Sequence, residues 1–356
     1  MKKALLLAIL SLGLLAASPK KDNIKLVPTA IPSIEKVYIA SKVDTNIAST
    51  QSKNARLDQE VTLYTIIESE LNGKKVYFGD LDSVEIKDKK IYPKRWDENY
   101  GSIDIDWFKV ESMLGNYPEK ADISYKETKQ KWRKWSNKAN AHPSDKRIDL
   151  FKGLGTMRFK INIKYNNSTY STTGKESVDE FGIKKNVHRI SFRKDDTEIG
   201  WAYAWCNLPY QWGSRSINDQ LPAEQHQTER FIAQDCADLV VGAARFSGKN
   251  NLNYTWSNGL ESQSNIVTEI EGMDENLNFL NKYGNIIRYG NKRNEVRLGD
   301  KLLGQRHVGI LARDSGSRGK PDGILNAYDI MFHTLFDYPQ EVYLGEHPPL
   351  KILRWK

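Results

Sequence analysis

Hydrophobic and polar positions change their period several times along this chain. From Ile34 to Asp122, short runs of β-branched and aromatic residues alternate with turn signals, the period-two pattern of strands. Val61–Ile67 and Lys75–Phe78 are two such runs, and Asn72-Gly73 between them predicts a tight hairpin turn. Residues 34–125 therefore read as a β-sandwich-like domain whose role is not legible. Lys126–Lys138 (KETKQKWRKWSNK) sets Trp132 and Trp135 three apart. That spacing predicts a basic connecting helix that buries two indoles, with a wall- or lipid-facing helix as the alternative. Met157–Tyr165, Asn166-Asn167 and Ser168–Thr173 predict a second hairpin, completing a connecting region over 126–190.

Beyond residue 190 the pattern turns helical once. After Asp235-Cys236, the residues Leu239, Val240, Ala243, Ala244 and Phe246 form an apolar stripe, and Gly248 stands where a left-handed C-cap belongs. Val308–Leu311 and Asp329–Leu335 read as strands, the first buried and the second setting Asp329, Met331 and His333 on one face. The stretch 250–294 is polar and asparagine-rich, and predicts a long loop forming a rim over a cleft. The expected fold class is α+β, with a cysteine-bearing helix packed on an antiparallel sheet over 191–356 and a β-rich N-terminal domain before it.

The first residues add an address. Met1–Ser18 has a signal-peptide layout, with Lys2-Lys3 ahead of a short apolar run, and 19–33 reads as an extended linker. The run is too short for a membrane span, no cysteine follows it to carry a lipid, and no other stretch approaches membrane length. The expectation is an exported chain, periplasmic or secreted, of two domains within 356 residues. A net charge of +8, spread along the chain, suits an anionic cell wall and carries no nucleic-acid recognition motif. Six scattered histidines without HExxH or CxxC spacing predict no metal and no cofactor, and Gly153-Leu154-Gly155 precedes a strand, so it is no dinucleotide loop. No repeat is visible, and oligomeric state is not legible.

The chemistry concentrates on Cys236. A cysteine directly after an N-cap aspartate sits where free backbone N–H groups and the helix dipole favour a thiolate. The alternative is a small buried cysteine in a core helix. The other cysteine, Cys206, lies in the apolar run Trp201–Cys206. A disulfide between the two would be ordinary in an exported chain, but would abolish the nucleophile. Around Cys236 stand Leu208-Pro209-Tyr210-Gln211-Trp212-Gly213, Arg297-Leu298-Gly299-Asp300 and Arg306-His307-Val308-Gly309-Ile310.

In that order, the PYxWG turn, the Asp-Cys helix, the xGD turn and the HVGI strand resemble the NlpC/P60 family of cysteine peptidases over roughly residues 200–340. The resemblance implies a papain-like fold and cleavage of peptidoglycan stem peptides. It implies Cys236 as nucleophile, His307 as general base and a polar third residue on the next strand, which orients the imidazole. His333, in Phe332-His333-Thr334, matches the family's apolar-His-small pattern, and Asn326 competes for the role. Tyr210 would set its hydroxyl beside the cysteine, with Trp212 on the same turn. Relatives usually read Asp-Cys-Ser-Gly, whereas this chain reads Asp235-Cys236-Ala237-Asp238. Asp235 remains to hold a substrate amine, but the hydroxyl is missing at Ala237. Asp238 either substitutes as an anchor or is a first-turn acid that complements the helix dipole. The function implied is an exported cysteine peptidase acting through a Cys236 acyl-enzyme. The alternatives are a muramoyl-alanine amidase or acyltransferase of the same superfamily, and an inert wall-binding or scaffolding protein.

Overall fold

A computed structural model describes residues 31–132, 134–146, 149–214 and 225–356; the signal-peptide reading and most of the linker lie outside them. Three large sheets make up the molecule. In the first, strand Val61–Leu71 pairs antiparallel with Ser33–Val43 and turns back into Lys74–Phe78. The turn is the one expected. Asn72 and Gly73 both take positive φ (54° and 69°), the backbone of a two-residue turn whose twist matches the flanking strands. Asn166 and Asn167 do the same (47° and 60°) between Gly155–Tyr165 and Ser168–Ser171.

The second sheet runs Tyr125–Lys129, Asp104–Ser112, Gly155–Tyr165, Arg189–Arg193 and Lys53–Arg56, with Ser168–Ser171 attached to the third of these. Its last pairing is parallel and joins residues 53–56 to 190–193. Strands from both ends of the N-terminal half therefore share one sheet, so the β architecture runs on past residue 125. The segment 126–138 is not a helix. Tyr125–Lys129 pairs with Phe108–Ser112 and Ser136–Lys138 with Thr62–Tyr64. Trp132 and Trp135 nonetheless pack against the core that fills the space between the two sheets, around Trp107, Phe159 and Ile161.

The third sheet is antiparallel throughout: Phe279–Asn281, Ser264–Met273, Lys351–Trp355, Lys301–Leu303, Val308–Arg313, Ile330–His333 and Gln340–Tyr343. The stretch expected as a rim loop supplies its first two strands, at the edge remote from His333. The fold-class expectation is thus corrected. Strands take up 41% of the structure and helices 10%, in three short pieces, which is a mostly β chain and not an α+β, papain-like one. The reason is physical. Strands such as Ser264–Met273, whose side chains are nearly all half-buried or exposed, carry little apolar alternation. Among the described residues no helix is long and apolar enough to cross a membrane.

The longest helix, Cys236–Phe246, lies on the strand Val308–Arg313. Leu239, Val240 and Ala243 share one core with Leu303, Val308, Ile310 and Phe332. The alternate residues Leu302, Leu311 and Met331 face a separate core on the opposite side, with Phe279 and Ile287. An ion pair anchors the short helix Glu198–Ala202 to this sheet. Lys301 Nζ lies 2.7 Å from Glu198, which also accepts from Trp355 Nε1 at 3.0 Å. Both charges are buried. Removing one partner of such a pair strands the other. Glu198→Gln keeps an acceptor for Trp355 but leaves Lys301 without its counter-charge. It should cost about 3–5 kcal/mol in urea unfolding, with native circular dichroism unchanged; a loss below about 1 kcal/mol would show that the pair does not anchor the sheet.

Candidate active site

Asp235 caps the Cys236 helix as its residue type predicts. Its Oδ1 accepts from the N–H groups of Ala237 and Asp238, both at 2.9 Å, and Gly213 supplies a further backbone N–H. Gly248, at φ 109°, closes the other end. The capping carboxylate has an electrostatic consequence. The first-turn N–H groups that would favour a thiolate are spent on Asp235, whose negative charge stands beside the sulfur. Burial, then Asp235, push the Cys236 thiol above its usual range, against weaker pulls from the N–H groups of Val308 and Ala237. Cys236 therefore rests as a neutral thiol, 8% exposed, which corrects the expectation of a thiolate at the helix start. Asp235 itself is pushed up to about 6 by burial.

His307 stands immediately before the strand Val308–Arg313. Its Nε2 lies 2.7 Å from His333 Nδ1, so the structure joins the two histidines singled out in the sequence. Asn326 is not in this contact. Its side chain donates to Asp322 and to the Ile324 carbonyl, and accepts from the Tyr328 N–H at 2.9 Å, so it is occupied in holding its own turn. Gly309 explains how the histidines come together. A Cβ there would meet Met331 Sδ at 2.3 Å and His333 Cβ at 3.1 Å, so only glycine lets the strand Ile330–His333 lie this close. Burial pushes His307 down to about 4 and His333 to about 3, and both rings are neutral at pH 7.

With both rings neutral, one hydrogen is shared between them. The arrangement that leaves His307 Nδ1 free to accept puts the proton on Nε2, donated to His333 Nδ1. Among the described residues, His307 Nδ1 and His333 Nε2 are buried without hydrogen-bond partners. Cys236 and His307 share no hydrogen bond; the group beside the thiol is the N–H of Val308, the next residue, which pulls its pKa down. His347 completes the cluster, its ring centroid 5.0 Å from that of His333 and 6.2 Å from that of His307. It went unnoticed in the sequence because Glu346-His347-Pro348 belongs to no periodic element. A cavity of about 610 Å³ opens beside His307, lined also by Leu335, Phe336, Glu346 and His347.

The substrate-binding expectations fare unevenly. Tyr210 is buried, lies close enough to Cys236 for the two ionisations to oppose each other, and packs on Phe336 with ring centroids 5.5 Å apart, linking the cysteine to the cavity rim. It is held there by backbone pairing with Asn116 and with Gln234. Trp212, 65% exposed, stands on the surface of the same turn. Asp238 has no exposed surface. It accepts from the Ser214 hydroxyl and lies 4.0 Å from His226 Nε2, turned into the protein and away from any substrate amine. Asp300 holds Arg354 through two hydrogen bonds, at 2.6 and 2.8 Å, so the xGD turn is structural. Both cysteines are free. Cys206 is buried against the Leu154 carbonyl. Among the described residues no three His, Cys, Asp or Glu side chains converge as metal ligands.

Comparison with known proteins adds no relative: no family model matches the chain, and no curated protein or solved structure matches it.

The resting thiol can be checked directly. At pH 7, iodoacetamide should label Cys236 more slowly than a free cysteine, and labelling should rise only on the alkaline side. Asp235→Asn retains a good N-cap but removes the charge, and should speed labelling above about pH 6, where the wild-type carboxyl is ionised. Rapid wild-type labelling at pH 6, or no acceleration in Asp235→Asn, would contradict this electrostatic account.

Proposed function

We propose that the chain is a thiol amidohydrolase of the NlpC/P60 kind, exported to act on peptidoglycan stem peptides, with Cys236 as nucleophile, His307 as base and His333 as the residue that orients it. The observation that carries the reading is the 2.7 Å contact between His307 Nε2 and His333 Nδ1, which leaves a buried imidazole nitrogen unpartnered one residue from the backbone N–H that acts on the thiol. The motif order PYxWG, Asp-Cys, xGD and HVGI supports the same assignment, as does the basic charge of the chain.

Since thiol and imidazole both rest neutral, proton transfer accompanies attack. The thiol proton passes to His307 Nδ1 as the sulfur–carbon bond forms, and the imidazolium is stabilised by donating from Nε2 to the neutral His333. The cap takes the Ala237 and Asp238 N–H groups and leaves that of Cys236 to hold the developing oxyanion. His307 then protonates the leaving nitrogen as the carbon–nitrogen bond breaks. Water hydrolyses the thioester, releasing the acid and restoring the thiol. Because the thiol and the ring share no hydrogen bond, a rotation of the cysteine or histidine side chain must precede the first step. That same feature favours a second reading, an inert wall-binding domain in which Cys236 is a core residue.

Mass spectrometry of products from purified peptidoglycan separates the readings and identifies the bond. Cys236→Ala should abolish any cleavage. His333→Ala should lower kcat by roughly 10²–10⁴ with the fold intact, and Asn326→Ala much less. The base is active when neutral, so kcat/KM should rise with pH through about 4 and be level by pH 6. An acid limb at the ordinary histidine value of about 6.5 would mean that His307 is not the base, and no product from any peptidoglycan would favour the inert domain.

A further inference from the structure

A second concentration of charge lies away from the cysteine, where the second sheet meets the segment leading to the Cys236 helix. A cavity of about 290 Å³ there is lined by Arg158, Arg189, Arg230, Lys184 and Lys185, near the lower end of small-molecule sites, about 300–1,000 Å³. Glu229 is the only acid among the described lining residues. Its carboxylate is engaged elsewhere, by Arg245 at 2.7 Å and by the Tyr254 hydroxyl at 3.0 Å.

Two of the three arginines are held without being neutralised. Arg158, 5% exposed, donates to the carbonyls of Arg230 and Phe231 at 2.8 and 2.9 Å. Arg189 donates to Asn54 Oδ1 at 2.9 Å and to the Ser191 hydroxyl, and lies over the Phe231 ring at 4.2 Å. Among the described residues, neither guanidinium meets a carboxylate. Neutral acceptors orient a guanidinium but leave its charge in place, and buried charge without a counter-charge is costly. Arg230 grips Asp179 at 3.1 and 3.2 Å, yet its Nε is buried with no hydrogen-bond partner. Ser52, also on the wall, accepts the Arg189 N–H at 3.0 Å and keeps its own hydroxyl hydrogen to donate. Burial, and then the neighbouring charge of Arg158, push Arg189 down to about 9.

We infer that this cavity is an oxyanion site that takes a phosphate-class group. A planar monocarboxylate is saturated by one guanidinium fork, whereas a tetrahedral dianion offers acceptors to donors arriving from several segments. The cations come from the strands Gly155–Tyr165 and Arg189–Arg193, from the Lys184-Lys185 turn and from Arg230. The site is independent of the cysteine chemistry, so its test stands whatever Cys236 does.

Titration calorimetry of the full chain at constant ionic strength tests it with inorganic phosphate, with glycerol 2-phosphate and dimethyl phosphate as monoester and diester probes, and with acetate as the carboxylate. Saturable phosphate binding is expected, with Cys236→Ala unchanged. Arg189→Gln should weaken it by about tenfold or more. The exposed pair Lys184→Gln/Lys185→Gln, which carries no packing, should weaken it by about threefold. Tighter binding of the monoester than the diester would identify a terminal phosphate as the ligand, and the reverse a bridging one; either supports the site. Absence of saturable phosphate binding, equal affinity for acetate, or unchanged affinity in both variants would overturn it.

Discussion

The strand Val308–Arg313 is buried on both faces, and the rest of the C-terminal half is arranged around that constraint. Val308 and Ile310 must be covered by the Cys236 helix, while Leu311 must be covered by the opposite core. A strand so enclosed cannot slip in register by one residue without exchanging the two faces. Its pairing with Ile330–His333 is therefore fixed, and Gly309 brings that neighbour in close. The contact between His307 and His333 follows from packing: two polar rings at the end of a closely approached strand pair have each other as the nearest partner.

Packing also determines the electrostatics. The cysteine and both histidines lie where their charged forms are penalised, so the resting site is neutral. A helix N-terminus ordinarily favours a thiolate, but here a carboxylate has already taken that field. Two effects that each look activating in a sequence, an aspartate cap and a helix start, oppose one another when the cap stands beside the sulfur. A thiol held neutral in this way reacts more slowly with alkylating agents and oxidants than a thiolate would. Its reactivity then depends on the histidine pair accepting a proton at the moment of attack.

Local chemistry was legible in the sequence and long-range pairing was not. The Asn72-Gly73 and Asn166-Asn167 turns, the Asp235 cap and the Gly248 end of the helix are each specified by the backbone preferences of one or two residues. The histidine contact was legible because a strand pattern placed His333 and a motif placed His307. The fold class was not, since a strand whose side chains are mostly half-buried or exposed does not alternate, and Ser264–Met273 reads as a polar loop. Trp132 and Trp135 suggested a helix by their spacing, although two indoles at strand ends reach the same core. The parallel pairing of Lys53–Arg56 with Arg189–Arg193 leaves no local trace at all. His347 lay outside any pattern, and Asp238 could not be told from a solvated first-turn acid until its burial was known.

The two charged regions of the molecule illustrate opposite solutions to burial. Around Cys236 the thiol and both imidazoles are kept neutral, and the carboxylate of Asp235 at the helix start is committed to backbone N–H groups. In the arginine-lined cavity the groups cannot be neutralised, because a guanidinium stays protonated at any physiological pH. Carbonyls and an aromatic face hold Arg158 and Arg189 in place, at the cost of leaving their charge uncompensated. Nothing in the stability of a fold requires that arrangement, since apolar residues of similar volume would pack as well or better. Retained charge of one sign around an enclosed space is therefore better explained by what enters that space than by what surrounds it.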